Sequence, residues 1–165
     1  MKAKGRLGAT AAIVLAVGMA VGVQVSLAQE ALPDVYSQDG LMGMEKTLAA
    51  KADTSGLATE TLKKYSTDYS MLAFRSQSGK AELHEKFADF YVVVDGKATL
   101  VSGGQMVHGA TTAPGEVRGD SIEGGKETQL NKGDIVHIPA NIPHQLVLSK
   151  GDTFQYFIVK VQEVN

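Results

Sequence analysis

Two short segments concentrate the residues able to do chemistry. The first is Glu82-Leu83-His84-Glu85-Lys86-Phe87-Ala88-Asp89, and the second runs from Gly133 to His144. The first reads as strand, where alternate residues face one side, so Glu82 and His84 project together. Asp89 opens the next strand-like run and His144 opens a later one. If the shared side is the interior of a barrel, carboxylate oxygens and imidazole nitrogens converge there. That donor set suits Fe(II), Mn(II), Zn(II), Ni(II) or Cu(II). The chain has no cysteine and four histidines. A thiolate zinc site, an Fe–S cluster, a disulfide framework and a cysteine nucleophile are therefore excluded.

Each of these residues also has a plainer reading. His84 fits an exposed strand histidine, and Asp89 fits a turn cap. Of Glu82 and Glu85, which face opposite ways, at least one reads as a solvated charge. His137 reads as core or surface, and His108 as solvent-facing. Phe90, Tyr91, Phe154, Tyr156 and Phe157 read as core or cavity wall. Tyr91 or His137 would serve as an acid or base only by facing the cavity. No GxSxG, Walker loop or dinucleotide GxGxxG in a βα setting occurs.

The elements that must position these groups are short strands. Runs at Tyr69–Arg75, Ala81–Glu85, Phe90–Val94, Ala98–Ser102, Ile135–Ile138, Gln145–Leu148 and Thr153–Val161 are strand-like. They are separated by turn signals: Ser76–Gly79, Asp95-Gly96, Gly103-Gly104, Lys132–Asp134 and Lys150–Asp152. Many short strands with no helical pattern between them predict an all-β sandwich or barrel rather than βαβ units. Gly96 to Gly133 contains nine glycines and reads as one long hairpin or loop excursion. Leu41, Met44, Leu48 and Ala52 recur at helical spacing and predict a helix over about 41–52. Residues 57–66 fit helix or strand equally.

At the two chemistry-bearing segments the chain resembles the cupin superfamily. The second cupin motif (Gly, five residues, Pro-x-Gly, two residues, His) is matched by Gly133, Pro139, Asn141 and His144. Asn141 replaces the glycine, and asparagine tolerates the left-handed conformation that the turn needs. Leu148 stands where the motif carries a later Asn. The first motif is matched at His84, Asp89 and Gly96, with Glu82 in place of the first metal histidine. A second register pairs His84 with Lys86, which as an ammonium cannot ligate; it leaves the spacing to Asp89 one residue short. The resemblance covers about residues 69–162. Gly115-Glu116-Val117-Arg118-Gly119 is similar to the excursion of exported cupin-domain proteins of undefined function.

The resemblance implies a jelly-roll (double-stranded β-helix) barrel over residues 67–165, preceded by a helical or irregular lead-in over 29–66. It also implies a divalent metal held by Glu82, His84, Asp89 and His144. This set is harder and more anionic than the usual three histidines and one glutamate. A small-molecule ligand, oxygenase or isomerase chemistry, and a homodimer through an edge strand are further implications. The rival is a non-catalytic binding or interaction module without metal.

Length, charge and the N-terminal pattern complete the expectation. The chain has 165 residues, 44% hydrophobic, room for one domain with a real core. Lys2, Lys4 and Arg6 precede an apolar run from Leu7 to Val25 that ends in Ser26-Leu27-Ala28. That is the pattern of a signal peptide cleaved after Ala28, predicting export to the periplasm or beyond, with no stable membrane insertion after cleavage. An uncleaved anchor is the alternative. Of 16 basic residues these three fall in the leader, leaving 13 against 18 acidic ones, a net of −5. An acidic body with no basic patch argues against a nucleic-acid partner.

Overall fold

The structure is a computed structural model that describes residues 32–163. The signal-peptide reading of residues 1–28 lies outside them. The chain divides into two units, Met1–Asp34 and Val35–Asn165, and all described secondary structure belongs to the second. Two short helices come first, α1 (Gln38–Gly43) and α2 (Glu45–Lys51). Twelve strands follow: β1 (Leu57–Lys64), β2 (Asp68–Arg75), β3 (Ala81–His84), β4 (Phe87–Ser102), β5 (Gln105–Val107), β6 (Ala110–Ala113), β7 (Glu116–Gly119), β8 (Ser121–Glu123), β9 (Lys126–Asn131), β10 (Ile135–Ile138), β11 (His144–Val147) and β12 (Phe154–Gln162).

Ten strands make one curled antiparallel sheet in the order β1-β2-β12-β4-β11-β3-β7-β6, with β9 and β10 also on β4. The all-β architecture is thus as expected. The organising strand is β4. Its first half pairs with β12 and β10, and its second half pairs with β11 and β9. The expected turn at Asp95-Gly96 is instead a bend inside this strand. Gly96 has φ +78°, and a Cβ there would run into the Thr153 carbonyl oxygen. The glycine serves a close crossing of strands rather than a reversal of the chain.

Alternation along the strands explains the interior. Ala73, Tyr91, Val93, Ala98, Leu100, Leu130, Ile138, Leu146, Phe154, Tyr156 and Ile158 form the inner core. The intervening residues Leu72, Phe74, Val94 and Phe157 pack outward under Leu41 and Leu48 of the two helices. Both faces of β2, β12 and β4 are therefore buried, which is why these strands read as nearly unbroken apolar runs. The single helix expected over 41–52 is two. The Ser37 hydroxyl caps α1 by accepting from the Gly40 N–H at 3.1 Å. A turn at Met44, whose N–H donates to the Leu41 carbonyl, separates it from α2.

Two stretches that the sequence left open are settled here. Residues 57–64, left open by the sequence and placed in the lead-in, are strand β1, paired with β2 from Leu57↔Arg75 to Lys64↔Tyr69. The sheet therefore includes a strand that precedes residue 67. Of the two readings of the glycine-rich excursion, hairpin or loop, the structure shows a hairpin. Its stem is the β4–β9 hairpin, and β7 returns to pair with β3. Among the described residues no helix is long and apolar enough to cross a membrane.

Candidate metal centre

Cross-strand register brings the ionisable residues together. On β3, Glu82 stands opposite His144 of β11 on one side and Arg118 of β7 on the other. His84 stands opposite Glu116 of β7. From the facing half of the fold, β4 contributes Asp89, directly opposite Lys160 of β12. All four residues singled out by the sequence, Glu82, His84, Asp89 and His144, thus meet in one place. His84, Asp89 and His144 are buried and Glu82 is half-buried.

His144 Nε2 lies 3.5 Å from Glu82 Oε1 and 3.6 Å from Asp89 Oδ2. His84 Nε2 lies 3.9 Å from Glu82 Oε2 and 3.5 Å from Asp89 Oδ2. The outer nitrogens are tied down. His84 Nδ1–H donates to Glu116 Oε2 at 2.8 Å, and His144 Nδ1–H donates to the Ile142 carbonyl at 3.0 Å. In the neutral form these outer partners would turn each Nε2 lone pair toward the cluster, the orientation that metal-ligating histidines take. His84 Nε2 is buried without a hydrogen-bond partner, the kind of orphan an ion would satisfy.

The four residues are not equivalent. Ligand atoms of Glu82, His84 and His144 all lie within 4.8 Å of one another. Around a tetrahedral ion with bonds near 2.1 Å, ligand atoms sit about 3.4 Å apart, so small shifts close the site. Asp89 has partners already. Lys160 holds Oδ1 in an ion pair, and the Tyr91 hydroxyl donates to Oδ2 at 3.0 Å. It stands beside the triad as a charged neighbour.

Without an ion, the carboxylates keep a proton on His144, and a metal ion would displace it. Burial works against the charge on His144, but the Asp89 and Glu82 carboxylates overcome it and raise its pKa to about 9. Burial likewise opposes ionisation of Glu82, yet His144, His84 and Arg118 bring its pKa down to about 2. Asp89 is held below the usual carboxylate range by His144, His84 and Lys160 despite its burial. Tyr91 is pushed up, first by burial and then by the charges of Asp89 and Glu82, so it stays a neutral phenol that donates a proton.

Asn141 adopts φ +65°, the left-handed conformation that the motif's glycine would take. Its backbone N–H donates to the His84 carbonyl at 2.8 Å, and its Nδ2–H donates to the Glu85 carbonyl at 3.2 Å. The turn that launches His144 is therefore tied to the end of the strand that carries His84. Lys86, the second residue of the alternative register, is exposed in the β3–β4 turn and away from the cluster. His137 lies outside the cavity, stacked on Phe90 with ring centroids 4.2 Å apart, so the proposed acid or base role falls to Tyr91 alone. His108 is exposed and pairs with Asp120.

Four functional candidates escaped the sequence reading: Arg75, Glu116, Arg118 and Lys160. All line the same cavity, of about 410 Å³, as Glu82, His84, Asp89, Tyr91 and Tyr156. Glu116 and Arg118 alternate on β7, a strand not resolved within the stretch read as one hairpin or loop excursion. Lys160 continues the inward row Tyr156-Ile158-Lys160 of β12.

No protein-family model matches this sequence, and no curated protein does either. Solved structures do match. The chain is similar to TT1209 from Thermus thermophilus, with TM-score 0.51 and 17% identity over 71% of this chain and 92% of that one. It is also similar to an uncharacterized conserved protein with a double-stranded β-helix domain from Klebsiella pneumoniae. There the TM-score is 0.53, with 14% identity over 79% of this chain and 90% of that one. The fold is a double-stranded β-helix barrel, the architecture that the resemblance to cupins implies. At these identities the likeness concerns the fold, and a cupin barrel hosts many chemistries. What this barrel does has to be read from its own cavity.

Proposed function

We propose that this cupin-fold protein binds one divalent transition metal through Glu82, His84 and His144, and a small organic molecule beside it. The carrying observation is the buried pair of Nε2 atoms, both turned inward by their Nδ1–H partners, with a carboxylate between them. Two imidazoles and one carboxylate are the donor set of non-haem Fe(II) sites with open positions, and Zn(II), Mn(II), Ni(II) or Cu(II) accept the same donors. Such an ion supplies Lewis acidity, or redox chemistry where the metal permits it, to a molecule in the cavity. The cavity size suits one small ligand.

The chain's own groups would do the rest. Glu116 orients His84, and the Ile142 carbonyl orients His144. Lys160 and Tyr91 hold Asp89 ionised beside the site. The Tyr91 hydroxyl, 3.4 Å from His144 Nε2, is the proton donor best placed for a reacting molecule. We read the activity as oxygenase or isomerase chemistry on that molecule. Export rests on the signal-peptide pattern of residues 1–28.

The test is the metal content of the natively purified protein and of His84→Ala and His144→Ala. One equivalent per chain in the wild type, lost in both variants, supports the reading. No metal even after reconstitution with Fe(II), Mn(II) and Zn(II) would overturn it and leave a metal-free binding module.

A further inference from the structure

One charged group in the cavity has no role in the proposed metal centre. Arg75, at the end of β2, is 7% exposed. It continues the inward row Tyr69, Met71, Ala73 and reaches the same cavity as Glu82 and His84. Its Nε–H donates to the Tyr156 hydroxyl at 3.1 Å. That accounts for one of five guanidinium N–H donors. Among the described residues no carboxylate stands within 4.0 Å of it. Glu82 acts on this charge only from beyond ion-pair distance, so a nearly buried guanidinium that lines the cavity is left with N–H donors for an anionic partner.

The surroundings are built for that group. A Cβ on Gly79 would lie 2.8 Å from Arg75 Nη1 and 2.9 Å from Cζ, so the glycine leaves the space the guanidinium fills. Tyr156, which fixes Nε, packs edge-on against Tyr91 with ring centroids 5.0 Å apart, and Tyr91 touches Asp89 and His144. The arginine and the metal centre are thus set on one rigid tyrosine pair. An adjoining hollow of about 380 Å³ shares Leu57, Arg75, Glu82 and Arg118 with the main cavity and adds Lys80.

Charge points the same way. Three carboxylates (Glu82, Asp89, Glu116) and three fixed cations (Arg75, Arg118, Lys160) line the cavity. They balance one another before any metal is counted. A divalent ion among neutral histidines would leave the lining net positive. Arg118 pairs with Glu82 and Glu116, and Lys160 pairs with Asp89, so Arg75 is the cation left to meet an incoming anion.

We infer that the ligand of this cavity is a small organic carboxylate whose carboxylate group is held by Arg75, with Tyr156 as the residue that positions the guanidinium. A planar fork matches a carboxylate in two parallel hydrogen bonds. A single arginine beside Leu57, Met71 and Tyr156 suits a monoanionic end better than a phosphate dianion. The inference deepens the reading of the site as a metal-assisted small-molecule site and rests on it for the ligand's other end.

The test is calorimetric titration of the purified protein, both Zn(II)-loaded and chelator-treated. The probes are acetate, succinate and benzoate, each against its neutral amide, with inorganic phosphate as a further arm. Preference for at least one carboxylate over its amide, falling at least ~10-fold in Arg75→Gln and several-fold in Tyr156→Phe, supports the assignment. Tyr156→Phe keeps the test decisive should Arg75→Gln fail to fold. No carboxylate preferred over its amide, a preference unchanged in the variants, or binding of phosphate alone would overturn it. Because both metal states are titrated, failure to bind Zn(II) would count against the metal reading while Arg75 is still judged in the chelator-treated protein.

Discussion

The interior of the barrel has two ends built by the same strands. At one end Ala73, Val93, Leu100, Leu130, Leu146 and Phe154 make a dry core. At the other, the same rows of inward positions carry Tyr69 and Met71 on β2, Asp89 and Tyr91 on β4, His144 on β11 and Lys160 on β12. Within a few residues each strand changes from apolar to ionisable without leaving the sheet. The dry end can be made of any well-packed apolar set of the right volume. The wet end is constrained otherwise, because a buried charge is costly unless it is paired. Glu82 against Arg118, His84 against Glu116 and Asp89 against Lys160 meet that demand. The contrast shows where this protein spends stability to make a site, and it can be broken from either end.

The largest effect should come from the dry end. Phe154 is fully buried, and Phe154→Ala should cost about 3–5 kcal/mol in denaturant unfolding. Metal affinity should change little, since Phe154 touches none of the candidate ligands. A large loss of metal binding in this variant would mean that the two ends are not separable.

Next in size is the pH dependence of the wet end. The pKa of His144 is raised from 6.5 to about 9. Its stabilising contribution is therefore complete below pH 6.5 and lost as pH rises through 9, on the order of 3 kcal/mol at most. Glu82 works in the other direction. Its pKa is lowered from 4.5 to about 2, so its contribution is present above pH 4.5 and lost as pH falls toward 2. Chelator-treated protein should show this alkaline decline in thermal melts, and His144→Asn should flatten it. Metal-loaded protein should not decline, because metal replaces the proton on His144. Matching alkaline slopes in the wild type and His144→Asn would refute the assignment.

Smaller is the effect of the outer partner of His84. Glu116→Gln keeps the shape but weakens the hold on Nδ1–H. It should lower metal affinity about 10–100-fold, read by competition with a chelator, with little change in fold stability. The smallest effect belongs to the histidine outside the barrel. His137→Ala should shift stability by no more than about 0.5 kcal/mol and leave metal binding unchanged. An effect there as large as that of Glu116→Gln would place the site elsewhere.

The contrast also explains which parts of the molecule were legible in the amino-acid sequence. Glu82, His84, Asp89 and His144 sit at strand starts and alternations inside two compact segments, so local pattern was enough to find them. Asn141 was legible too, because one backbone conformation at a fixed place in a motif is a local property. Arg75, Glu116, Arg118 and Lys160 were not. Their part in the cavity comes from register between strands far apart in the chain, such as β3 with β7 and β4 with β12. Residues 57–64 were ambiguous because the strand alternates Ala58 and Leu62 toward the helices with Thr59 and Thr61 toward a wet cavity, and neither set is strongly apolar. Gly96 was misread because a glycine at a strand crossing and a glycine in a turn leave the same mark in sequence.

The most direct test of the central claim is which atoms bind the ion. One equivalent of Cu(II), added to the chelator-treated protein, can be read by electron paramagnetic resonance for its nitrogen ligands. Coordination by His84 and His144 predicts hyperfine structure from two imidazole nitrogens in the wild type and from one in each of His84→Ala and His144→Ala. A wild-type spectrum with oxygen ligands only, or one that both substitutions leave unchanged, would contradict it.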